Sequence, residues 1–483
     1  MANGSFTQVL TRKKSVVDDV ENFGLKRCLS AFDLTLMGIG AIIGTGIFVL
    51  TGVAAATTSG PAVILSFVVA GLACAFAALA YAELASSVGG AGSAYGYSYA
   101  AFGEFVAWII GWDLILEYGV SVAAVANGWS GYFNNALHGI GVGLPAALTK
   151  GPFAVDAATG LPAGGIINLP AFGIVFLLMV MLIIGVKESA KLNTAMVFVK
   201  LLAIVIFVSV AVFHVNTENW SPFVPFGWYH LNDLGKPVGI FAGASVVFFA
   251  YVGFDAVSTA TEEANKPQRD VPFGIIASLV FCTIIYIVVS GLLTGIVSYK
   301  ELNVSSPVAF ALERIGINWA SALVATGVIA GLTTVMLVLY YALTRILTAM
   351  SRDGLLSPLF SEVNRTTQTP VKNTVICGMI MAVAAGFLPL GILAELVNIG
   401  TLAAFVLVCI GVIALRSSHP NLKRPFKLPG GMLIPILGAI SCSLLICFLP
   451  WETHVRFVLW LAVGLIIYFA YGVRHSRLAK VTQ

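Results

Sequence analysis

Charge is scarce in this sequence. Only 10% of its 483 residues are Asp, Glu, Lys or Arg, against about 25% in soluble globular domains, and so low a share excludes an ordinary water-exposed surface. The seven cysteines (Cys28, Cys74, Cys282, Cys377, Cys409, Cys442 and Cys447) are odd in number and form no CxxC pair or Cys/His cluster. That pattern leaves neither a disulfide framework nor a thiolate metal site, so they read as packing residues. A dinucleotide-binding loop is excluded because no strand precedes the glycines near the start and the third glycine is missing. No His cluster, nucleophile elbow or basic run with interleaved aromatics is present, which sets aside the enzyme and nucleic-acid classes. Extramembrane stretches are short, the longest being roughly 136–168 and 215–237. No small-residue cleavage pattern follows the first apolar run, so no signal peptide is expected.

What is abundant is apolar sequence. Hydrophobic residues make up 59% of the chain and the mean hydropathy is +0.96. Apolar runs lie near 34–57, 61–88, 96–135, 169–186, 193–214, 238–261, 271–297, 307–348, 373–387, 390–415, 431–449 and 455–473. They read as 12 transmembrane helices of an all-α polytopic membrane protein. The third and eighth runs exceed a perpendicular span and are expected to tilt or to extend into water. With the N-terminus inside, 20 Lys and Arg fall on the cytoplasmic side and five outside, Lys200 lying within a span. An even number of spans with both termini cytoplasmic is the parity that gives this bias.

The run 34–57 contains Ile42-Ile43-Gly44-Thr45-Gly46-Ile47-Phe48, with further glycines at Gly38 and Gly40. Each interior glycine costs roughly 1 kcal/mol relative to alanine in a helix, so the helix is expected to break there. Unpaired backbone in hydrocarbon is tolerated only where protein or a water-filled cavity supplies partners. A second interruption, Phe249-Ala250-Tyr251-Val252-Gly253-Phe254-Asp255, falls in the sixth run. Breaks in the first and sixth helices suggest two five-helix halves of inverted topology. The expected division is a cytoplasmic segment 1–32, a first repeat 33–214, a second repeat 215–415, two further helices in 416–475 and a cytoplasmic tail 476–483.

At the first break Gly44, Thr45 and Gly46 can present N–H groups at a half-helix N-terminus, a seat for a carboxylate. Carbonyls at Ile42 and Ile43, with those around Phe249, Ala250 and Val252, suit an ammonium group. Donors on one side and acceptors on the other fit the zwitterion of an α-amino acid. The competing reading is that Gly40 and Gly44 form a helix-packing motif.

Intramembrane charges are the next set, since each costs roughly 2.5–3.5 kcal/mol at a helix centre on insertion scales. Asp113 and Glu117 share one helical face. Glu117 can hold a cationic side chain, carry a proton, or be a structural acid; Asp113 reads as structural. Lys191 reads as a topology anchor. Lys200, roughly 13 Å deeper, needs partners and is a candidate proton carrier, or else it snorkels to water. Asp255 can cap exposed amides or line the inner vestibule, and Thr333 and Thr334 can offer hydroxyls near Lys200 or bond their own helix. Phe249 closes over the substrate or simply packs. Glu83 and Glu104 are candidates for a cytoplasmic gate, and Glu395 has no evident role.

The run from Gly38 to Gly52, with Tyr81-Ala82-Glu83, Gly92-Ser93-Ala94-Tyr95, the stretch Gly111 to Tyr118, Phe249-Ala250-Tyr251 and Met350-Ser351-Arg352-Asp353-Gly354, resembles the amino acid-polyamine-organocation superfamily. Within it the likeness is to bacterial members of the cationic amino acid transporter branch, over essentially the whole membrane domain. The resemblance implies a LeuT-like 5+5 inverted repeat and transport of L-amino acids by alternating access. It implies a carboxylate seat at Gly44, Thr45 and Gly46 and a gate at Phe249. Lys200 would take the place of the sodium ion of sodium-coupled relatives, so the expected coupling ion is a proton, with no metal and no other cofactor. Twelve spans depart from the fourteen usual in animal members.

The expectation is therefore a plasma-membrane symporter importing cationic or small neutral L-amino acids. Alternatives are exchange without net proton flux and an amino acid sensor that does not transport. Expected partners are the substrate and the lipid bilayer, with no nucleic acid. A monomer is compatible with the sequence, which fixes neither the oligomeric state nor the presence of a small accessory subunit.

Overall fold

A computed structural model describes residue 12 and residues 29–88, 94–155, 162–184, 190–261, 264–364 and 369–478. The expected N-terminal segment apart from Arg12, Leu29 and Ser30 to Phe32, the Gly92-Ser93 part of one motif, Lys187, the side chain of Lys191 and the tail beyond Leu478 lie outside the described residues.

The chain enters its first helix, α1 (Ala31–Ile42), through a capping box in which the Asp33 amide donates to Ser30 Oγ and the Ser30 amide to Asp33 Oδ2. Such a cap contributes about 1 kcal/mol by satisfying donors that the first turn leaves open. After the break comes α2 (Gly46–Leu50, Thr51–Ala54 and Ala55–Ser59), wound with π-turns at both ends. The first half of the chain continues through α3 (Val63–Val88), α4 (Ala94–Ala101), α5 (Glu104–Gly139), α6 (Leu169–Ile184) and α7 (Ala190–Ala211). A small antiparallel hairpin, His230–Leu231 with Pro237–Val238, precedes α8 (Ile240–Val247). There follow α9 (Ala256–Thr259), α10 (Pro267–Ile296), α11 (Pro307–Arg314), α12 (Asn318–Arg352), α13 (Val371–Phe387), α14 (Leu390–Ser418), α15 (Leu433–Cys447) and α16 (Trp451–Ile467). Among the described residues, eight helical stretches are long and apolar enough to cross a bilayer, and four shorter apolar helices (α1, α6, α13 and α15) accompany them.

Both expected interruptions are present, and the structure adds two that the apolar pattern concealed. Rather than tilting as single helices, the third run divides into α4 and α5 at Gly103 (φ 97°) and the eighth into α11 and α12 at Gly316 (φ 81°). Each is a short helix, a turn and then a long helix. A window average misses such a turn because a few polar residues, Glu104 at the first and Glu313, Arg314 and Asn318 at the second, are outweighed by the apolar helices on either side.

The long helix α5 is the axis of the molecule, with its most extensive seam against α12 and another against α14; α10 packs along α3 and α1. The last of these helices, α16, is tied to this body by specific groups. Trp108 Nε1 and Trp112 Nε1 on α5 donate to the carbonyls of Gly464 and Trp460 on α16 at 3.0 and 2.9 Å. Glu395 on α14 accepts from Thr453 Oγ1 at 2.6 Å and lies 3.4 Å from Arg456.

Candidate functional site at the paired helix breaks

The two breaks lie against each other. A Cβ built on Gly46 would fall 2.3 Å from the Cα of Ala250, closer than any real contact allows, so the backbones touch there. Reciprocally, Gly253 (φ 111°) faces the Ala41 carbonyl, which a Cβ would approach to 3.1 Å. Both positions require glycine, the first for close approach and the second for its backbone conformation. The start of α2 therefore lies beside the end of α8, and the end of α1 beside the turn that precedes α9.

The structure distributes the expected donors and acceptors as follows. Ile43 leaves the helix with ψ 99°, and its amide still donates to Ile39 O. Among the described residues the Gly44 amide donates no hydrogen bond. Thr45 is fully buried, faces Gly128 of α5, and its Oγ1 has no partner. A Cβ on Gly44 would meet only the methyls of Val335 on α12, at 3.7 and 3.8 Å. The turn thus offers an open amide and an open hydroxyl between α5 and α12. Beyond it the backbone winds as a π-turn, with the Thr51 amide and Oγ1 both reaching Gly46 O. Such turns are rare and recur at functional sites.

The acceptors are partly taken. Tyr286 on α10 places its hydroxyl 2.7 Å from Ala250 O and 3.0 Å from Ile42 O, bridging the two breaks. Nothing in the local pattern around Tyr286 marks it, because its only distinction is what it faces across the bundle. Phe249 O accepts the Val252 amide at 3.3 Å, while the Phe249 ring is 5% exposed. A ligand ammonium seeking the carbonyls of Ile42 and Ala250 would have to compete with the Tyr286 hydroxyl that already donates to both. One net hydrogen bond contributes about 0.5–1.5 kcal/mol. Tyr286→Phe should accordingly tighten amino acid binding by roughly two- to tenfold and lower the thermal midpoint of the substrate-free protein. Unchanged affinity and midpoint in a thermal-shift titration would remove Tyr286 from the site.

Lys200 on α7 is fully buried, with its ammonium donating to Gly40 O at 2.5 Å and Ile43 O at 3.1 Å. When protonated it brings a positive charge to the carbonyl end of α1, where the macrodipole is negative. No carboxylate lies within ion-pair distance of it among the described residues. Its stem crosses Gly331 of α12. The two threonines are not brought to it by any hydrogen bond. Thr333 Oγ1 accepts from Trp129 Nε1 at 3.0 Å and donates to Ile329 O, and Thr334 Oγ1 donates to Gly331 O. Trp129 on α5 was not visible as a partner in the sequence.

Below the breaks lies a buried acidic pair. Tyr118 donates to Asp255 Oδ2 at 2.6 Å, and the amides of Gly253 and Ala256 lean toward the same carboxylate. Glu117 is fully buried, and neither of its oxygens has a hydrogen-bond partner. Its polar neighbours are Asp255 and Thr401 of α14. A buried ionised carboxylate without a partner is costly, and a proton or a cationic partner would relieve that cost. Asp113, also buried, leaves one oxygen unpartnered.

The remaining acids have partners that join elements. Glu83 holds Arg416 at 2.8 and 2.5 Å and Arg424 at 3.6 Å, and accepts the Leu428 amide. The Glu83 carboxylate keeps Arg416 more firmly protonated than a free guanidinium, against the opposing effect of burial. Glu104 accepts from Tyr99, Tyr468 and Ser476, and its amide donates to Arg12 O. Both acids thus bind the first part of the chain to its C-terminal part.

Residues 29–471 match the family described as amino acid permease. A branched-chain amino acid permease, BcaP, of Bacillus subtilis is 49% identical over 472 residues, covering 97% of this chain and 98% of its own. A methylthioribose transporter of the same organism is 49% identical over 456 residues, covering 94% and 95%. A vacuolar cationic amino acid transporter 4 of Arabidopsis thaliana is 37% identical over 424 residues, covering 85% and 68%.

Proposed function

This chain belongs to the amino acid permease family, and from that premise we propose that it imports L-amino acids together with a proton by alternating access. The family is one of transporters rather than enzymes, and the chain is a multi-pass protein of the plasma membrane. In our reading it has twelve spans and both termini in the cytoplasm, with inverted repeats over 33–214 and 215–415. The matching breaks in α1/α2 and α8, and the matching divisions at Gly103 and Gly316, support that symmetry. The observation that carries the functional reading is the interlock of the two breaks, with open donors at Gly44 and Thr45 on one side and carbonyls of Ile42 and Ala250 on the other. That arrangement matches the two charges common to all α-amino acids.

For the side chain we favour apolar, neutral substrates. The site walls supplied by Ile42, Ile43, Val335 and Phe249 are apolar, and a relative that is 49% identical is named for branched-chain amino acids. The acids Glu117 and Asp255 then serve the proton. Glu117→Gln should reduce accumulation of leucine driven by a proton gradient by at least tenfold while leaving leucine binding within about threefold, because a neutral isostere keeps shape and loses titration. Tight arginine binding that disappears in Glu117→Gln would instead assign Glu117 to the substrate.

A second reading follows from the relative named as a methylthioribose transporter. Uptake into empty reconstituted vesicles separates the readings. Leucine entry that rises with an inward proton gradient supports the proposal; methylthioribose entry without leucine entry overturns it. Leucine movement only against internal leucine, unaffected by the gradient, would make the protein an exchanger.

A further inference from the structure

A groove of about 680 Å³ runs along the outer face of α10 and is closed on one side by Pro425 and Phe426, in the segment between α14 and α15. Phe273, Val280 and Ile284 line it and are 58%, 53% and 58% exposed, with no element over them among the described residues. From Phe273 to Ile284 the helix rises about 16 Å, comparable with the roughly 15 Å that one leaflet contributes to a hydrocarbon core about 30 Å thick.

The mouth of the groove is polar and basic. Gln268 and Arg269 line it, and the Arg269 side chain is exposed without an acidic partner among the described residues. Lys427, next to Phe426, is likewise exposed and unpaired. Pro272 sits inside α10 and has no amide to give, so the Gln268 carbonyl lacks its usual helical donor. One end thus offers a guanidinium for a phosphate and a carbonyl for a hydroxyl, above a long apolar trough.

We propose that this groove is a binding site for an anionic glycerophospholipid, with its phosphate on Arg269, a headgroup hydroxyl on the Gln268 carbonyl and one acyl chain along Phe273, Val280 and Ile284. Basic pockets at the ends of spanning helices select anionic lipids through such charge pairing. The site also has a route to transport. The opposite face of α10 packs tightly on α1, with Gly274 over Leu34 and Ser278 over Gly38, and the same helix carries Tyr286 into the breaks. A lipid seated in the groove braces the helix against which α1 must move.

The test uses full-length purified protein and two synthetic lipids, phosphatidylglycerol and phosphatidylcholine, with affinity read by native mass spectrometry. Wild type should bind phosphatidylglycerol more tightly than phosphatidylcholine. Arg269→Gln should reduce that preference about fivefold, as expected for one basic group at a membrane surface, and Arg269→Lys should retain it. Val280→Trp, filling the trough, should weaken both lipids. Uptake in vesicles should rise with the phosphatidylglycerol fraction for wild type and respond weakly for Arg269→Gln. Equal affinity for the two lipids, or a preference unchanged in Arg269→Gln, overturns the proposal. Because the binding readout needs no substrate, it fails or succeeds independently of the transport reading.

Discussion

Lys200→Met should abolish accumulation of substrate against its gradient, bringing the inside-to-outside ratio of reconstituted vesicles to one. Methionine keeps the stem that crosses Gly331 and removes the ammonium that holds Gly40 O and Ile43 O. Hydrogen bonds from a charged donor contribute about 1.5–3 kcal/mol each, and two buried carbonyls left without a donor cost about 1–3 kcal/mol apiece. The carbonyl end of α1 therefore loses its fixed charge and its tether to α7 in one substitution. Lys200→Ala should behave in the same way with a larger loss of thermal stability, since it also opens a cavity beside Gly331. Lys200→Arg is not a conservative control, because a planar guanidinium is wider and holds its proton. In our reading Lys200 alternates between a tethered, charged state and a released one, so a permanent charge should trap the inner half of the first helix. Wild-type accumulation by Lys200→Met would exclude Lys200 from coupling, whatever its effect on stability.

The same residue shows what sequence alone can and cannot disclose. That a lysine deep in an apolar run needs partners follows from desolvation, and the glycines of the first run announce a break because their cost is local. Which carbonyls the lysine finds is a tertiary matter, since Gly40 and Ile43 lie about 160 residues away in the chain. Tyr286 was illegible for the same reason: an aromatic among Ile and Val is ordinary, and only the convergence of α1, α8 and α10 gives its hydroxyl two acceptors. Sequence can suggest a hydroxyl near Lys200 at Thr333 but does not fix its azimuth, and the hydroxyl hydrogen-bonds Trp129 rather than Lys200. Glu83 and Glu104 read as cytoplasmic acids from their position alone, but the partners that join them to other elements, Arg416 for one and Tyr468 and Ser476 for the other, lie at the far end of the sequence.

Gly46→Ala tests the interlock itself and should reduce uptake at least tenfold. The added methyl would lie 2.3 Å from Ala250 Cα, 2.5 Å from its Cβ and 2.7 Å from its N. Backbone cannot swing aside as a long side chain can, so the two breaks must separate. Overpacking of this kind costs about 1–3 kcal/mol in a tight interior and sometimes more, and an ångström of misplacement between reacting or binding groups can cost about a hundredfold. Gly44→Ala is the internal comparison. Its methyl would meet only Val335 at ordinary contact distance, so the fold should hold and any loss should fall on substrate affinity through the amide it partly shields. Ala250→Gly added to Gly46→Ala removes the 2.5 Å clash but leaves those with Cα and N, and should restore little. Wild-type uptake by Gly46→Ala would mean that the breaks move as separate bodies; full rescue by Ala250→Gly would place the tight contact at the side chain. Loss in Gly46→Ala, spared stability in Gly44→Ala and poor rescue together require the two unwound segments to act as one clamp on the substrate's zwitterion.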